Sequence, residues 1–95
     1  MKHTPGPWSV ERRSAEDVRI VDGNPNTTIA TLGNWLPEFR AERDANARLI
    51  SAAPDMFEAL ERTLSWLASY QANAAMADNG PYMQARAALK KARGE

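Results

Sequence analysis

His3 is the only histidine in the chain, and there is no cysteine. A lone imidazole beside a Pro-Gly-Pro segment is expected to be solvated or bonded locally, and no spacing of carboxylates around it completes a metal site. Serine occurs five times, never in the strand–turn–helix context of a nucleophile elbow. The five glycines lie far apart, so no phosphate-cradling loop is spelled out. What remains is recognition chemistry. Asn46 carries both a donor and an acceptor, as a base edge or an amide requires. Arg48 carries a fork of donors suited to phosphate. Trp8 and Trp35 are aromatic surfaces able to stack on a ring or fill a partner's pocket, and Pro5 stiffens the lead into Trp8. Each has a structural reading beside the functional one: Asn46 tying the N-terminal segment to a helix, Arg48 a solvated helix charge, the tryptophans plugs over a core. The candidate ligand- or partner-binding residues are thus Pro5, Trp8, Trp35, Asn46 and Arg48. Catalytic and metal-ligating sets are empty, no cofactor is implied, and the chain is expected not to be an enzyme.

The elements that must position these residues are legible from periodicity. Thr4-Pro5-Gly6-Pro7 sets an extended, turning lead. Trp8-Ser9-Val10-Glu11-Arg12 then alternates, with Trp8, Val10 and Arg12 on one side, as a half-buried strand does. Ser14–Glu16 is a turn, Asp17–Asp22 a second strand with Val18 and Ile20 sharing a face, and Gly23–Asn26 a second turn dense in turn formers. Thr27–Leu32 is a third strand rich in β-branched residues. Such short connections favour an antiparallel meander.

A first helix is expected from Pro37 or Glu38 to Ala52, with Phe39, Ala47, Ile50 and Leu49 as a thin apolar side and Asn46 inward. Its charged residues Glu38, Arg40, Glu42, Arg43, Asp44 and Arg48 are expected in solvent. Pro54 cannot continue that helix but suits the first turn of another, so a break is expected at Ala53-Pro54. In the second helix Phe57, Leu60, Leu64, Leu67, Gln71 and Ala74 form a seam at alternating spacings of three and four. Ala59, Thr63, Trp66 and Tyr70 form a second stripe, surplus to what one neighbour needs, with Trp66 and Tyr70 as candidate oligomer contacts. Asp78 or Asn79 is expected to cap a third helix, Tyr82 to about Ala92, with Tyr82, Ala85, Leu89 and Ala92 inward. The fold class is therefore α+β: a small N-terminal three-stranded antiparallel sheet packed on two to three C-terminal helices. It is expected as a single domain, 1–95, with a meander over 1–35 and a helical part over 36–95.

Charge excludes some partners. Twelve basic and twelve acidic residues cancel, and they do so separately in residues 1–35, four of each, and in residues 36–95, eight of each. No block is basic enough for extended nucleic acid. The absence of cysteine excludes disulfides and thiolate metal sites. The N-terminus lacks the apolar region of a signal peptide, and no run is long enough to span a bilayer. The expected place of action is the cytoplasm.

His3-Thr4-Pro5-Gly6-Pro7-Trp8, taken with Ala45-Asn46-Ala47-Arg48-Leu49-Ile50 running into Ser51-Ala52-Ala53-Pro54-Asp55-Met56-Phe57-Glu58-Ala59-Leu60, resembles a family of small bacteriophage and prophage proteins. Ile29-Ala30 sits where that family's middle strand would, and Ala85-Arg86-Ala87-Ala88-Leu89 matches its closing helix more loosely. Met56-Phe57 replaces the usual paired aliphatics, and Ser51 a common alanine. The resemblance implies a phage accessory protein acting in an infected bacterial host. With the surplus helix stripe, the small size and the missing catalytic constellation, the leading expectation is a non-enzymatic counter-defence protein that binds stoichiometrically. It would be a homo-oligomer that sequesters a nucleotide-derived immune signal or blocks a host defence protein. The alternative is a structural or regulatory interaction module in phage replication.

Overall fold

A computed structural model of the chain describes residues 2–23, 27–33, 36–69 and 80–95. Three strands, β1 (Ser9–Arg12), β2 (Asp17–Val21) and β3 (Thr28–Gly33), precede three helices, α1 (Arg40–Ser51), α2 (Ala53–Ser69) and α3 (Pro81–Arg93). A 3-10 turn, Pro37–Phe39, leads into α1. The arrangement is the expected α+β one. The chain divides into two compact units, one holding residues 3–55 and the other residues 56–95 with the first two residues of the chain. The division falls after Asp55, so α1 belongs with the sheet.

In the first unit β2 is central and antiparallel to both neighbours. Alternation does what the sequence implies: Val10 pairs with Ile20 and Arg12 with Val18, while Val18 and Ile20 face Leu32 and Ala30 across the other ladder. Ile20 pairs with Ala30 but Val21 with Thr28, so Ile29 is the extra residue of a β-bulge. The turn between β1 and β2 is fastened by Ser14, whose hydroxyl oxygen accepts the backbone N–H groups of Glu16 at 3.3 Å and Asp17 at 3.1 Å. Val18, Ile20 and Ala47 are fully buried at the centre, and Trp8, Val10, Ile29, Ala30, Leu32 and Ile50 close over them. Helix α1 supplies this face through Ala47 and Ile50, one turn apart.

Three expectations about α1 need correction. Arg43 is not solvated but 3% exposed. It lies one turn before Ala47, on the face turned to the sheet, so its side chain is carried inward. Phe39 and Leu49 are not inward but 48% and 61% exposed. Phe39 ends the 3-10 turn before the α period begins, and Leu49 stands two residues past Ala47, about 200° round the helix. The helix break is present one residue earlier than expected, at Ala52, and Ala53 opens α2. At this junction the Arg48 carbonyl takes the Ser51 hydroxyl at 2.8 Å and the Ala52 N–H at 3.1 Å, which satisfies an otherwise orphaned acceptor of the helix end.

In the second unit Leu64 of α2 and Leu89 of α3 are buried, 8% and 5% exposed. Phe57, Leu60 and Leu67 are half-buried along the expected seam, while Gln71 and Ala74 lie outside the described residues. Tyr82 and Ala85 are half-buried, but Ala92 is exposed, three residues past Leu89 in the last turn. The N-cap of α3 is Gly80, in extended geometry and without a side-chain bond, rather than Asp78 or Asn79. Pro81 follows at the first turn, one residue before the expected start at Tyr82. Gly94, at φ 81°, closes α3 in the left-handed conformation that suits glycine at a helix end. The Arg93 guanidinium bonds the Glu61 carboxylate at 2.8 Å and lies 5.8 Å from the Phe57 ring centroid. Among the described residues no helix is long and apolar enough to cross a membrane.

Candidate functional site

The N-terminal lead is built into the first unit by a contact that sequence periodicity cannot show. A Cβ on Gly6 would stand 2.9 Å from the Pro54 Cβ and 3.0 Å from its Cγ. Only a residue without a side chain lets the backbone lie this close to a buried proline ring. The His-Thr-Pro-Gly-Pro-Trp and Ala-Ala-Pro segments therefore touch each other directly. The Gly6–Pro7 peptide is cis. Trp8 folds back on the same lead: its indole N–H donates to the Thr4 carbonyl at 3.2 Å, and the His3 ring meets it edge-on at 6.3 Å. The ring body packs on the Val18–Ile20–Ala47 core. Pro5 is exposed beside this turn.

Asn46 and Arg48 flank Ala47. Residues of a helix are about 100° apart, so the two side chains leave the buried Ala47 direction on opposite sides. Asn46 is half-buried and Arg48 exposed. The Asn46 amide makes no hydrogen bond to another described residue; polar ties from α1 to the sheet and its β1–β2 turn come instead from Arg40, which pairs with Glu16 at 3.5 Å, and from Arg43 and Asp44. The Arg43 side chain is the buried one of these. Its guanidinium donates to the Ala15 carbonyl at 2.6 Å and to the Asp44 carboxylate at 2.9 and 3.1 Å. The other Asp44 oxygen takes Arg12 of β1 at 3.2 Å. Hydrogen bonds from Arg12 and then Arg43 hold the Asp44 carboxyl below its ordinary pKa. The signal for Arg43 was in the sequence, as a charge spaced four residues from Ala47 and seven from Ile50. Trp35 and Tyr70 lie outside the described residues. Trp66 is 59% exposed on α2, and Ala59 and Thr63 of the same stripe are exposed with it.

A second feature is not singled out by the sequence. Helices α2 and α3 border a groove of about 330 Å³. Its α3 wall carries Tyr82, Arg86, Lys90 and Arg93, and its α2 wall includes Glu61 and Ser65. Leu64, Ala68 and Leu89 give it apolar surface. Spacings of four, four and three put the α3 side chains on one stripe, a pattern visible in the sequence but with nothing there to distinguish it from a solvated helix end.

Comparison with curated proteins and with solved structures returned no significant match. The family model described as Salmonella phage P22 protein Y8K6 matches residues 1–95, and the chain belongs to that bacteriophage family.

Proposed function

We propose that this phage protein is a non-enzymatic counter-defence protein that acts by stoichiometric binding, as a homo-oligomer, on a nucleotide-derived immune signal or on a host defence protein. The observation that supports the assembly part of the reading is the exposed stripe of α2. Trp66 is 59% exposed on a helix whose other side already buries Leu64. An exposed tryptophan with a stripe of small neighbours is a common anchor of protein interfaces. Assembly through that stripe would cover it and create clefts between copies, where ligand sites are common. Asn46 and Arg48, on opposite flanks of Ala47, act in this reading as separate contacts.

The test begins with a native mass spectrum of the purified protein, which reports subunit number and retained small molecules together. An oligomer that Trp66→Glu breaks into smaller species, with helicity preserved, is the expected result. A wild-type protein that stays monomeric at high concentration ends the assembly reading. Phage growth then separates the roles. A deletion that impairs growth only on hosts carrying a defence system agrees with the proposal. One that impairs growth only on undefended hosts selects the replication module.

A further inference from the structure

We propose that the α2–α3 groove is a binding site for a small organic phosphate, with the phosphate on Arg86 and Lys90 and the remainder of the ligand over Leu64, Ala68 and Leu89. The inference rests on the binding-protein reading but not on a role against host defence. It starts from the charges. Arg86, Lys90 and Arg93 line the groove together with two carboxylates, Glu61 of α2 and Glu95 just past the end of α3. Glu61 is engaged by Arg93 at 2.8 Å. Among the described residues neither Arg86 nor Lys90 belongs to an ion pair, which leaves two cations one helical turn apart on the same wall. The Arg86 guanidinium lies 6.0 Å from the Tyr82 ring centroid, a cation–π contact that limits its freedom before any ligand arrives. Arg86 and Lys90 are exposed and able to reach a ligand, while Leu64 and Leu89 between the helices are buried.

Those features specify an amphipathic anion. A phosphate monoester carries a charge between about −1.5 and −2 at neutral pH and three acceptor oxygens, enough for a guanidinium, an ammonium and the Ser65 hydroxyl together. Inorganic phosphate would use the cations but leave the apolar surface uncovered. A neutral ring compound would do the reverse. A cavity of about 330 Å³ stands at the small end of ligand sites, which run from roughly 300 to 1,000 Å³. This suits a phosphorylated small molecule better than a docked helix.

AMP, inorganic phosphate and adenosine are suitable probes, titrated into the full chain by calorimetry and by amide NMR. AMP is expected to bind more tightly than either fragment, with shifts confined to residues 61–68 and 82–93. Arg86→Gln and Lys90→Gln should each weaken AMP about tenfold, the loss of one charge-assisted hydrogen bond. Both residues are exposed, so the variants should stay folded. Lys91→Gln, exposed and outside the groove, should change nothing. Equal losses for Lys91→Gln and Arg86→Gln would reduce the effect to general charge and overturn the site. AMP shifts centred on residues 46–48 and insensitive to Arg86→Gln would move the site to α1 and leave the small-ligand reading intact. No binding of AMP or phosphate by the folded wild-type chain would overturn the groove, and protection of phage on defended hosts by that same protein would leave the protein-blockade route standing.

Discussion

The two units of this small protein differ in how much of their conspicuous polar chemistry is buried. In residues 3–55 part of the conspicuous chemistry is turned inward, while Pro5 and Arg48 are exposed. Arg43 is 3% exposed and holds the β1–β2 turn, the Trp8 indole N–H goes to Thr4, and Gly6 is pressed on Pro54. In residues 56–95 only Leu64 and Leu89 are buried among the described hydrophobic side chains, and Arg86 and Lys90 face an open groove. A segment dense in Pro, Gly, Trp and His looks like a site in a sequence, and here its Gly6 and Trp8 are also packed, on Pro54 and on the sheet core. The plainer Ala-, Arg- and Lys-rich helix lines a groove with Arg86 and Lys90, neither of them in an ion pair among the described residues. In the first unit the unusual residues Gly6 and Pro54 mark a close backbone approach.

The largest effects should separate the units by how tightly they are packed. Ile20 is fully buried in the sheet core. Ile20→Ala should destabilise by about 2–5 kcal/mol in urea unfolding, because it leaves a closed cavity. Leu64 borders an open groove, so Leu64→Ala widens that groove and should fall at or below the low end of the same range. A larger loss for Leu64→Ala than for Ile20→Ala would reverse the comparison.

Next in size is the Gly6–Pro54 contact. Gly6→Ala forces a methyl to within 2.9 Å of the proline ring, and overpacking of this kind typically costs about 1–3 kcal/mol. A methyl added at Gly23 would meet nothing within 4 Å, so Gly23→Ala should stay within about 0.5 kcal/mol. Equal effects at the two glycines, read as melting temperatures, would show that the Gly6–Pro54 contact adds nothing to the stability of the first unit.

How much of this was legible follows from the physics involved. The strands were, because Val10, Val18, Ile20 and Leu32 alternate, and the helix break was, because Pro54 lacks a donor. The helix registers were legible near Ala47 and Leu64 but failed at Leu49 and Ala92, which are exposed, and at Phe39, which sits in a 3-10 turn of a different period. Arg43 was missed because composition treats every helix charge as solvated, although its spacing from Ala47 placed it inward. The Gly6–Pro54 contact joins segments far apart in the chain, and no local pattern encodes which proline a glycine will meet. The groove stripe of Tyr82, Arg86 and Lys90 was readable as a face of α3. It became a candidate site only with α2 beside it.

Smaller again is the pH response of the Arg12–Asp44–Arg43 cluster. The folded-state pKa of Asp44 is held below its ordinary value by hydrogen bonds from Arg12 and Arg43. Its contribution to stability is therefore complete above the unfolded value, near 3.8. It is lost as the pH falls through the depressed folded value. Melting curves between about pH 6 and pH 2 should steepen in that acid window, and Asp44→Asn should remove this part of the slope. Amides of β1 and the β1–β2 turn should report the loss first. An unchanged acid slope in Asp44→Asn would show that the cluster does not contribute to the stability of the first unit.

The smallest effects are expected at Asn46 and Arg48, and they decide whether the first unit carries a site as well as a packed lead. Arg48 is exposed, and its side chain makes no ion pair among the described residues, so Arg48→Ala should alter stability by no more than about 0.5 kcal/mol. The Asn46 amide is half-buried without a hydrogen-bond partner among the described residues, so Asn46→Ala removes no bond to them and should also be mild. Their opposite departures from the Ala47 direction make a shared ligand geometrically unfavourable, and effects of the two substitutions on binding should simply add. Binding energies for the single and double variants, against whichever target the native mass spectrum identifies, measure this directly. Strong non-additivity would mean that one ligand bridges both flanks of α1. In that case the contrast between a packing-directed first unit and a binding-directed second unit would have to be abandoned.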